Sequence, residues 1–121
     1  MPVDPKPVLT VATGRDAGVI VVRVAGQLTA VSVALLRTRL GSVWQLPDVS
    51  VVVMDLAEVV FCDSAGLGGL VDAWRDSRAR GIRLMLAGAG TQLIQVLELT
   101  GLDSLFEIHP QVAAALGVAA Q

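Results

Sequence analysis

The stretch from Val51 to Leu70, VVVMDLAEVVFCDSAGLGGL, decides the fold that this sequence predicts. It opens with four apolar residues, Val51 to Met54, and a β-branched run of this kind is typical of a strand buried on both faces of an α/β sheet. Asp55 is expected to end the strand. A short connector, Leu56 to Cys62, should then lead into the next element.

The second half of the stretch predicts a helix that starts at Asp63 and Ser64, two favourable N-cap residue types. The residues that follow at helical spacing are Leu67, Leu70, Val71, Trp74 and Arg78. Trp74 falls on the inward stripe and is interpreted as core rather than as a binding anchor. Because the first N–H groups of a helix lack partners and carry partial positive charge, an anion on Ser64 would be stabilised there.

Three glycines crowd the first two turns of this helix: Gly66, Gly68 and Gly69. Each costs up to about 1 kcal/mol relative to alanine in a helix interior. On the exposed side they would leave backbone that a partner protein can approach, and on the buried side they would let the helix lie close to the sheet. The sequence leaves both interpretations open.

These residues resemble a known family, the STAS-domain anti-sigma-factor antagonists. Asp55-Leu56 and the run from Phe61 to Gly68 are similar to the family's phosphorylation segment, in which an anti-sigma-factor kinase phosphorylates a serine that follows an aspartate. Ser64 is the matching residue. A second stretch, Val96 to Phe106, resembles the late helix and turn of the family, and together the similarity spans most of the chain.

One position departs from the family pattern. Members of this branch carry Gly-Glu-hydrophobic-Asp after the second strand, with the two acids near the phosphorylated serine, whereas this chain has Gly26-Gln27-Leu28-Thr29. The resemblance implies a bacterial, cytoplasmic phosphoprotein, in which both of the family's carboxylates near the serine are missing. The partner-binding surface that it implies comprises Asp63, Ser64, Ala65, Gly66, Leu67 and Gly68, together with Gln27 and Thr29.

The rest of the chain predicts a single α/β domain over residues 8–121, after a flexible arm at residues 1–7. The expected strands are Val8–Thr13 and Val19–Ala25, joined as an antiparallel hairpin by residues 14–18, then Val51–Met54, Ile82–Ala87 and Leu105–Ile108. The expected helices are Ala30–Trp44, the helix from Ser64, one after Thr91 that ends at a C′ glycine, Gly101, and a terminal helix with Pro110 at N1. This order implies a mixed, mostly parallel sheet of about five strands with about four helices.

Composition excludes several classes of protein. The chain has 121 residues, 54% of them apolar, and a net charge of −2, which excludes disorder as the main state and offers no basic surface for nucleic acid. No apolar run approaches the roughly 18 residues that span a bilayer, and no signal peptide opens the chain. We therefore expect a cytoplasmic protein that contacts neither membrane nor nucleic acid.

Enzymatic and cofactor chemistry finds little support in the motifs. A nucleophile elbow requires G-x-S-x-G, but Cys62 occupies the first glycine position, and His109 is the only histidine available to a hydrolase. No dinucleotide or Walker motif is present, and one Cys with one His cannot build a zinc site, so no cofactor is predicted. Cys62 is interpreted as a small buried hydrophobe, with a thiol of lowered pKa as the alternative.

Two functional hypotheses remain. In the first, the unphosphorylated chain binds an anti-sigma factor of the serine-kinase type and releases a sigma factor, phosphorylation of Ser64 abolishes binding, and a phosphatase is a further partner. In the second, the chain is a constitutive STAS interaction module of a signalling assembly. Asp63 is expected to cap the helix, to contact a cation of the partner or to position a metal, and the sequence does not choose among these roles.

Overall fold

The computed structural model describes residues 7–16 and 18–121 and shows a five-stranded sheet with helices on both faces. The strands are β1 Leu9–Asp16, β2 Val19–Leu28, β3 Val51–Cys62, β4 Arg83–Ala87 and β5 Glu107–His109. The helices are α1 Val33–Trp44, α2 Ser64–Ala79, α3 Thr91–Leu99 and α4 Val112–Ala119, with a 3₁₀ turn at Leu102–Ser104.

The strands lie in the sheet in chain order, β1-β2-β3-β4-β5. β1 pairs with β2 in the antiparallel direction and the remaining pairs are parallel, which confirms the predicted mixed sheet and its N-terminal hairpin. Each crossover from β2 onward steps one strand in the same direction. Crossovers of the usual right hand therefore place α1, α2 and α3 on one face of the sheet, and α4 packs on the opposite face.

The centre of the sheet is buried on both sides. Val52 and Met54 point into the core under α1, α2 and α3, while Val53 packs with Met85 against Ala115 of α4, and all five side chains are fully buried. This confirms the prediction that the run from Val51 to Met54 is a doubly covered strand.

The prediction that this strand ends at Asp55 was wrong. β3 continues to Cys62, because β2 also runs on to Leu28 and the two strands remain paired over their whole length. The pairing contains two register shifts, so residues 56–62, the predicted connector, do not alternate regularly between apolar and polar.

Helix α1 begins at Val33, three residues after the predicted start at Ala30. The backbone turns first at Thr29, whose carbonyl oxygen accepts the N–H groups of Ser32 and Val33 at 3.1 and 2.8 Å. The predicted linker after β2 is accordingly shorter, because Gly26 to Leu28 belong to the strand.

The last two elements are also displaced from their predicted positions. β5 covers Glu107–His109 rather than residues 105–108, and α4 starts at Val112 rather than at Pro110. Gln111 has an extended backbone, with φ −160° and ψ 164°, so the helix can begin only after it. The predicted C′ glycine is confirmed, since Gly101 follows α3 with φ 75°.

Residues 1–6 of the predicted arm, and Ala17 in the predicted hairpin turn, lie outside the described residues. Among the helices at residues 7–16 and 18–121, none has both the length and the apolar character needed to cross a membrane.

Candidate functional site

Asp63 joins the start of α2 to the loop after β2. Its backbone is extended, and its carboxylate accepts the N–H of Gly66 at 2.8 Å as a side-chain N-cap. The second carboxylate oxygen accepts the N–H of Ala30 at 3.2 Å, 33 residues earlier in the chain. Of the three roles predicted for Asp63, the geometry shows the cap. Within residues 7–16 and 18–121, no group of three His, Cys, Asp or Glu side chains is arranged to hold a metal ion.

Ser64 is the first residue of α2, and its side chain is exposed. In the part of the chain that the structure describes, its hydroxyl has no hydrogen-bond partner, while Asp63 takes the cap position beside it. The N–H of Leu67 is bonded to the carbonyl of Asp63 at 2.9 Å, so the first turn is well formed. Ser64 is therefore a free hydroxyl on a fixed helix start.

Neutral hydrogen bonds hold Gln27, near the end of β2, and Thr29, in the loop that follows the strand. The hydroxyl of Ser32 donates to the carbonyl of Gln27 at 2.6 Å and accepts the N–H of Thr29 at 3.0 Å, and the hydroxyl of Thr29 accepts the N–H of Val31 at 3.3 Å. Gln27 is exposed and pairs in register with Phe61 of β3. The loop thus lies beside the start of α2, as expected, although both positions lack carboxylates.

Four residues of this region were not predicted from the sequence. Ser32 is 7% exposed and ties the loop together, yet its sequence signal is only that of an N-cap residue type before an apolar run. Val31, Val60 and Phe61 are large apolar side chains with exposures of 84%, 74% and 46%. The sequence predicts a connector at residues 56–62, and a connector carries no expectation about the exposure of Val60 and Phe61.

The three glycines near the start of α2 have different surroundings. Close packing and backbone accessible to a partner, the two predicted roles, therefore each apply to only some of them. A side chain on Gly66 would overlap with the Leu28 carbonyl, and one on Gly69 would lie 2.5 Å from a methyl group of Val33. Gly68 has open space around the position of a Cβ atom. Gly66 and Gly69 allow close packing, and Gly68 leaves backbone accessible from outside.

Cys62 is a buried thiol, which confirms the first interpretation of this residue. Its side chain is 6% exposed and its Sγ donates to the carbonyl oxygen of Asp63 at 3.6 Å. Burial, with a smaller contribution from the nearby charge of Asp63, raises the pKa of the Cys62 thiol to about 11. The alternative of a lowered pKa at the helix start is therefore wrong, because desolvation dominates.

The two remaining candidate residues have structural partners. His109 is half-buried and shares a hydrogen bond of 3.0 Å with Glu107, and no hydrogen bond joins it to Ser64 among the described residues. Trp74 packs against the main core, and the guanidinium of Arg78 lies 5.0 Å from its ring centroid. Trp74 is thus half-buried and covered by a cation–π contact.

Charge is distributed unevenly along the sheet direction. The acids Asp55 and Glu58 lie in β3 and Asp63 precedes α2, and the longest segments without any Lys or Arg are residues 24–36, 40–74 and 84–121. Arg23 contacts Asp55 at 3.5 Å from the middle of the neighbouring strand. The end of the molecule that carries Ser64 is therefore acidic and apolar.

Comparison with known proteins places the chain in a family. Residues 10–115 match the STAS domain. The chain belongs to the STAS domain family. This confirms the family expected from residues 55–68 and 96–106, and the match covers most of the described strands and helices.

Relatives of this STAS domain include anti-sigma factor antagonists. The chain is 36% identical over 94 residues to an anti-sigma-B factor antagonist of Listeria monocytogenes, covering 78% of this chain and 82% of that protein. The crystal structure of an anti-sigma factor antagonist from Mycobacterium paratuberculosis superimposes with a TM-score of 0.81 at 27% identity, covering 93% and 95% of the two chains. The phosphorylated form of the Bacillus cell fate determinant SpoIIAA has the same fold, with a TM-score of 0.71 at 18% identity and coverages of 91% and 99%.

Proposed function

We propose that this STAS domain is an anti-sigma-factor antagonist whose activity is controlled by phosphorylation of Ser64. Unphosphorylated, it binds an anti-sigma factor of the serine-kinase type in the bacterial cytoplasm and so releases a sigma factor, and a phosphatase restores this state. The observation that carries the proposal is the exposed hydroxyl of Ser64 at the start of α2, in a chain 36% identical to an anti-sigma-B factor antagonist.

Phosphorylation of Ser64 is not expected to unfold the domain. Phosphoserine adds about −1.5 to −2 charges at pH 7, and at the start of a helix these meet unpaired N–H groups and a favourable dipole. Asp63 already holds the helix start and the loop after β2 together through Gly66 and Ala30. The phosphate would therefore be accommodated on a fixed surface.

The effect of the phosphate is expected at the interface with the partner. A partner that covers Ser64 would have to remove water from a dianion, which is costly without a new cation, and the adjacent Asp63 already adds negative charge there. Like charges brought together across an interface cost several kcal/mol. Since about 1.4 kcal/mol corresponds to a factor of ten, binding should weaken by about two decades or more.

Phosphorylation by a cognate kinase tests the site. The purified chain is incubated with ATP and each anti-sigma-factor serine kinase of the source organism, and intact-mass and fragment spectra locate the phosphate. We expect one phosphate on Ser64, none on Ser64→Ala, and wild-type labelling of the control Ser42→Ala, which removes an exposed serine of α1. Labelling that persists unchanged in Ser64→Ala would contradict the proposal.

Calorimetry then separates an interface effect from an effect on the fold. The phosphorylated chain should melt at the same temperature or higher, while titration into the anti-sigma factor shows a Kd raised by about two decades. A melting temperature several degrees lower would show that the phosphate acts by disrupting the domain.

A constitutive interaction module is the second candidate. It is favoured by the neutral residues Gln27 and Thr29, which are held by Ser32 without any carboxylate that a kinase could recognise. In that case the chain would bind its partner and none of the kinases would label it. Restoring the acids with Gln27→Glu and Thr29→Asp should then enable or accelerate labelling, whereas unchanged kinetics would show that these positions do not contribute.

A further inference from the structure

Strand β3 extends well beyond its neighbour β4. β4 pairs with β3 only from Val51 to Asp55, whereas β2 pairs with β3 as far as Cys62. At Gly88 the chain leaves the sheet with φ 73°, and the N–H of Gly88 bonds to the carbonyl of His109 at 3.1 Å. Among the described residues, no strand therefore lies beside the second half of β3 on this side.

The backbone of this segment offers unused hydrogen-bonding groups. The N–H of Ala57 is satisfied by the carboxylate of Asp55 at 3.0 Å. From Glu58 to Phe61, the structure as described gives backbone partners only in β2. Because the N–H and C=O groups of a strand point alternately to its two sides, part of these groups face the open side, where an added strand can pair with them. Gly88 packs against Ala57, so we call residues 58–61 on this side the open edge.

The side chains around the open edge indicate what kind of chain would pair with it. Val60 and Phe61 are 74% and 46% exposed, and the exposed charged residue between Ala57 and Phe61 is Glu58. Asp63 follows the edge, Asp55 before it is paired with Arg23, and the segments 56–74 and 84–121 contain no Lys or Arg. The edge is thus acidic with apolar contacts, and it complements an extended segment that carries both cations and apolar side chains.

We propose that an extended, basic segment of the anti-sigma factor pairs with the open edge of β3 as an added strand. This rests on the proposed function, because it names how the same partner contacts the surface beside Ser64. Main-chain hydrogen bonds would supply part of the affinity, Val60 and Phe61 the apolar contacts, and Glu58 the preference for a basic segment. Phosphate on Ser64 would itself attract a basic segment, so the loss of binding on phosphorylation must come from the part of the partner that covers Ser64.

Hydrogen exchange of the complex tests strand addition directly. The unphosphorylated chain, alone and bound to the anti-sigma factor, is exchanged into D₂O and the amides of residues 58–61 are followed. Paired amides exchange only when the added strand opens, so we expect at least about tenfold slower exchange in the complex. The other sheet edge, β1 Leu9–Asp16, serves as the internal control and should be unchanged.

Reversing the charge of Glu58 provides a second test of strand addition. Glu58→Lys should weaken binding about tenfold or less, in a salt-sensitive manner, while Glu98→Lys, which reverses an exposed acid on α3, should leave the Kd unchanged. If wild type binds but residues 58–61 gain no protection, strand addition is refuted and the proposed function stands. If the wild-type chain binds no anti-sigma factor, both strand addition and the proposed function are refuted.

Discussion

The close approach of α2 to β2 predicts that Gly66 cannot be replaced by alanine without loss of stability. A methyl group at Gly66 would overlap with the carbonyl oxygen of Leu28, lie 2.8 Å from its carbonyl carbon and 3.0 Å from the sulfur of Cys62. The same carbonyl oxygen accepts the N–H of Asp63 at 3.1 Å. Since the obstruction is backbone on the end of a paired strand, no change of rotamer relieves it.

The expected cost follows from two opposing terms. Overpacking of a well-packed site costs about 1–3 kcal/mol, and the clash with backbone places this substitution in the upper part of that range. Alanine gains up to about 1 kcal/mol over glycine in a helix interior. The free energy of unfolding of Gly66→Ala should therefore fall by about 1–2 kcal/mol, which lowers the melting temperature by about 4–8 °C in a chain of this size.

Gly68→Ala is the matched control, two residues further along the same helix. Nothing lies within 4 Å of the position of its Cβ atom, so the gain in helix propensity should appear undiminished and raise the melting temperature by about 2–4 °C. Differential scanning calorimetry and denaturant titration of the two variants provide the comparison. Equal stability of Gly66→Ala and Gly68→Ala would refute the packing argument, because both lose a glycine from the start of α2.

Two further predictions concern titratable groups. Arg83 donates to the Glu107 carboxylate at 2.8 and 2.7 Å and, with a hydrogen bond from His109, lowers its pKa. A carboxylate whose pKa is lower in the folded state contributes stability above the unfolded value of about 4.3, and this stability is lost as the pH falls through the folded pKa. The melting temperature of Glu107→Gln should therefore approach that of wild type towards pH 3 and differ from it most near neutrality. The buried thiol of Cys62, with a pKa of about 11, should react with iodoacetamide at pH 8 at least about two decades more slowly than free cysteine, and a rate near that of free cysteine would contradict its burial.

Much of the fold could be predicted because the strands and helices carry clear hydrophobic patterns. The run from Val51 to Met54 has no polar interruption, and its burial on both faces follows from that alone. The continuation of β3 to Cys62 could not be predicted, since Asp55 interrupts the run and two register shifts remove the alternation that marks a strand. The shifts are a property of how β2 and β3 pair, and pairing depends on residues distant in sequence.

The contacts of the candidate site that are local in sequence could likewise be predicted, and those between distant segments could not. Asp63 before an apolar helical stripe predicts a cap, and the bond to Gly66 is local. The bond from Ala30 to Asp63 and the role of Ser32 depend on the end of β2 meeting the start of α2, which no short window of sequence records. Likewise, the open edge beside Val60 and Phe61 exists because β3 extends beyond the end of β4. The relative lengths of two paired strands cannot be predicted from either segment alone.

The loss of acids at positions 27 and 29 need not remove the structural basis for a switch at Ser64. The loop around Gln27 and Thr29 keeps its geometry through the neutral bonds of Ser32, and Asp63 links that loop to α2. A charge added at Ser64 would therefore meet a helix start and a preceding loop that Asp63 and Ser32 already hold in place. Such a frame has little freedom to rearrange, so on the proposed function a phosphate at Ser64 would change what the surface can bind and leave the fold of the domain intact.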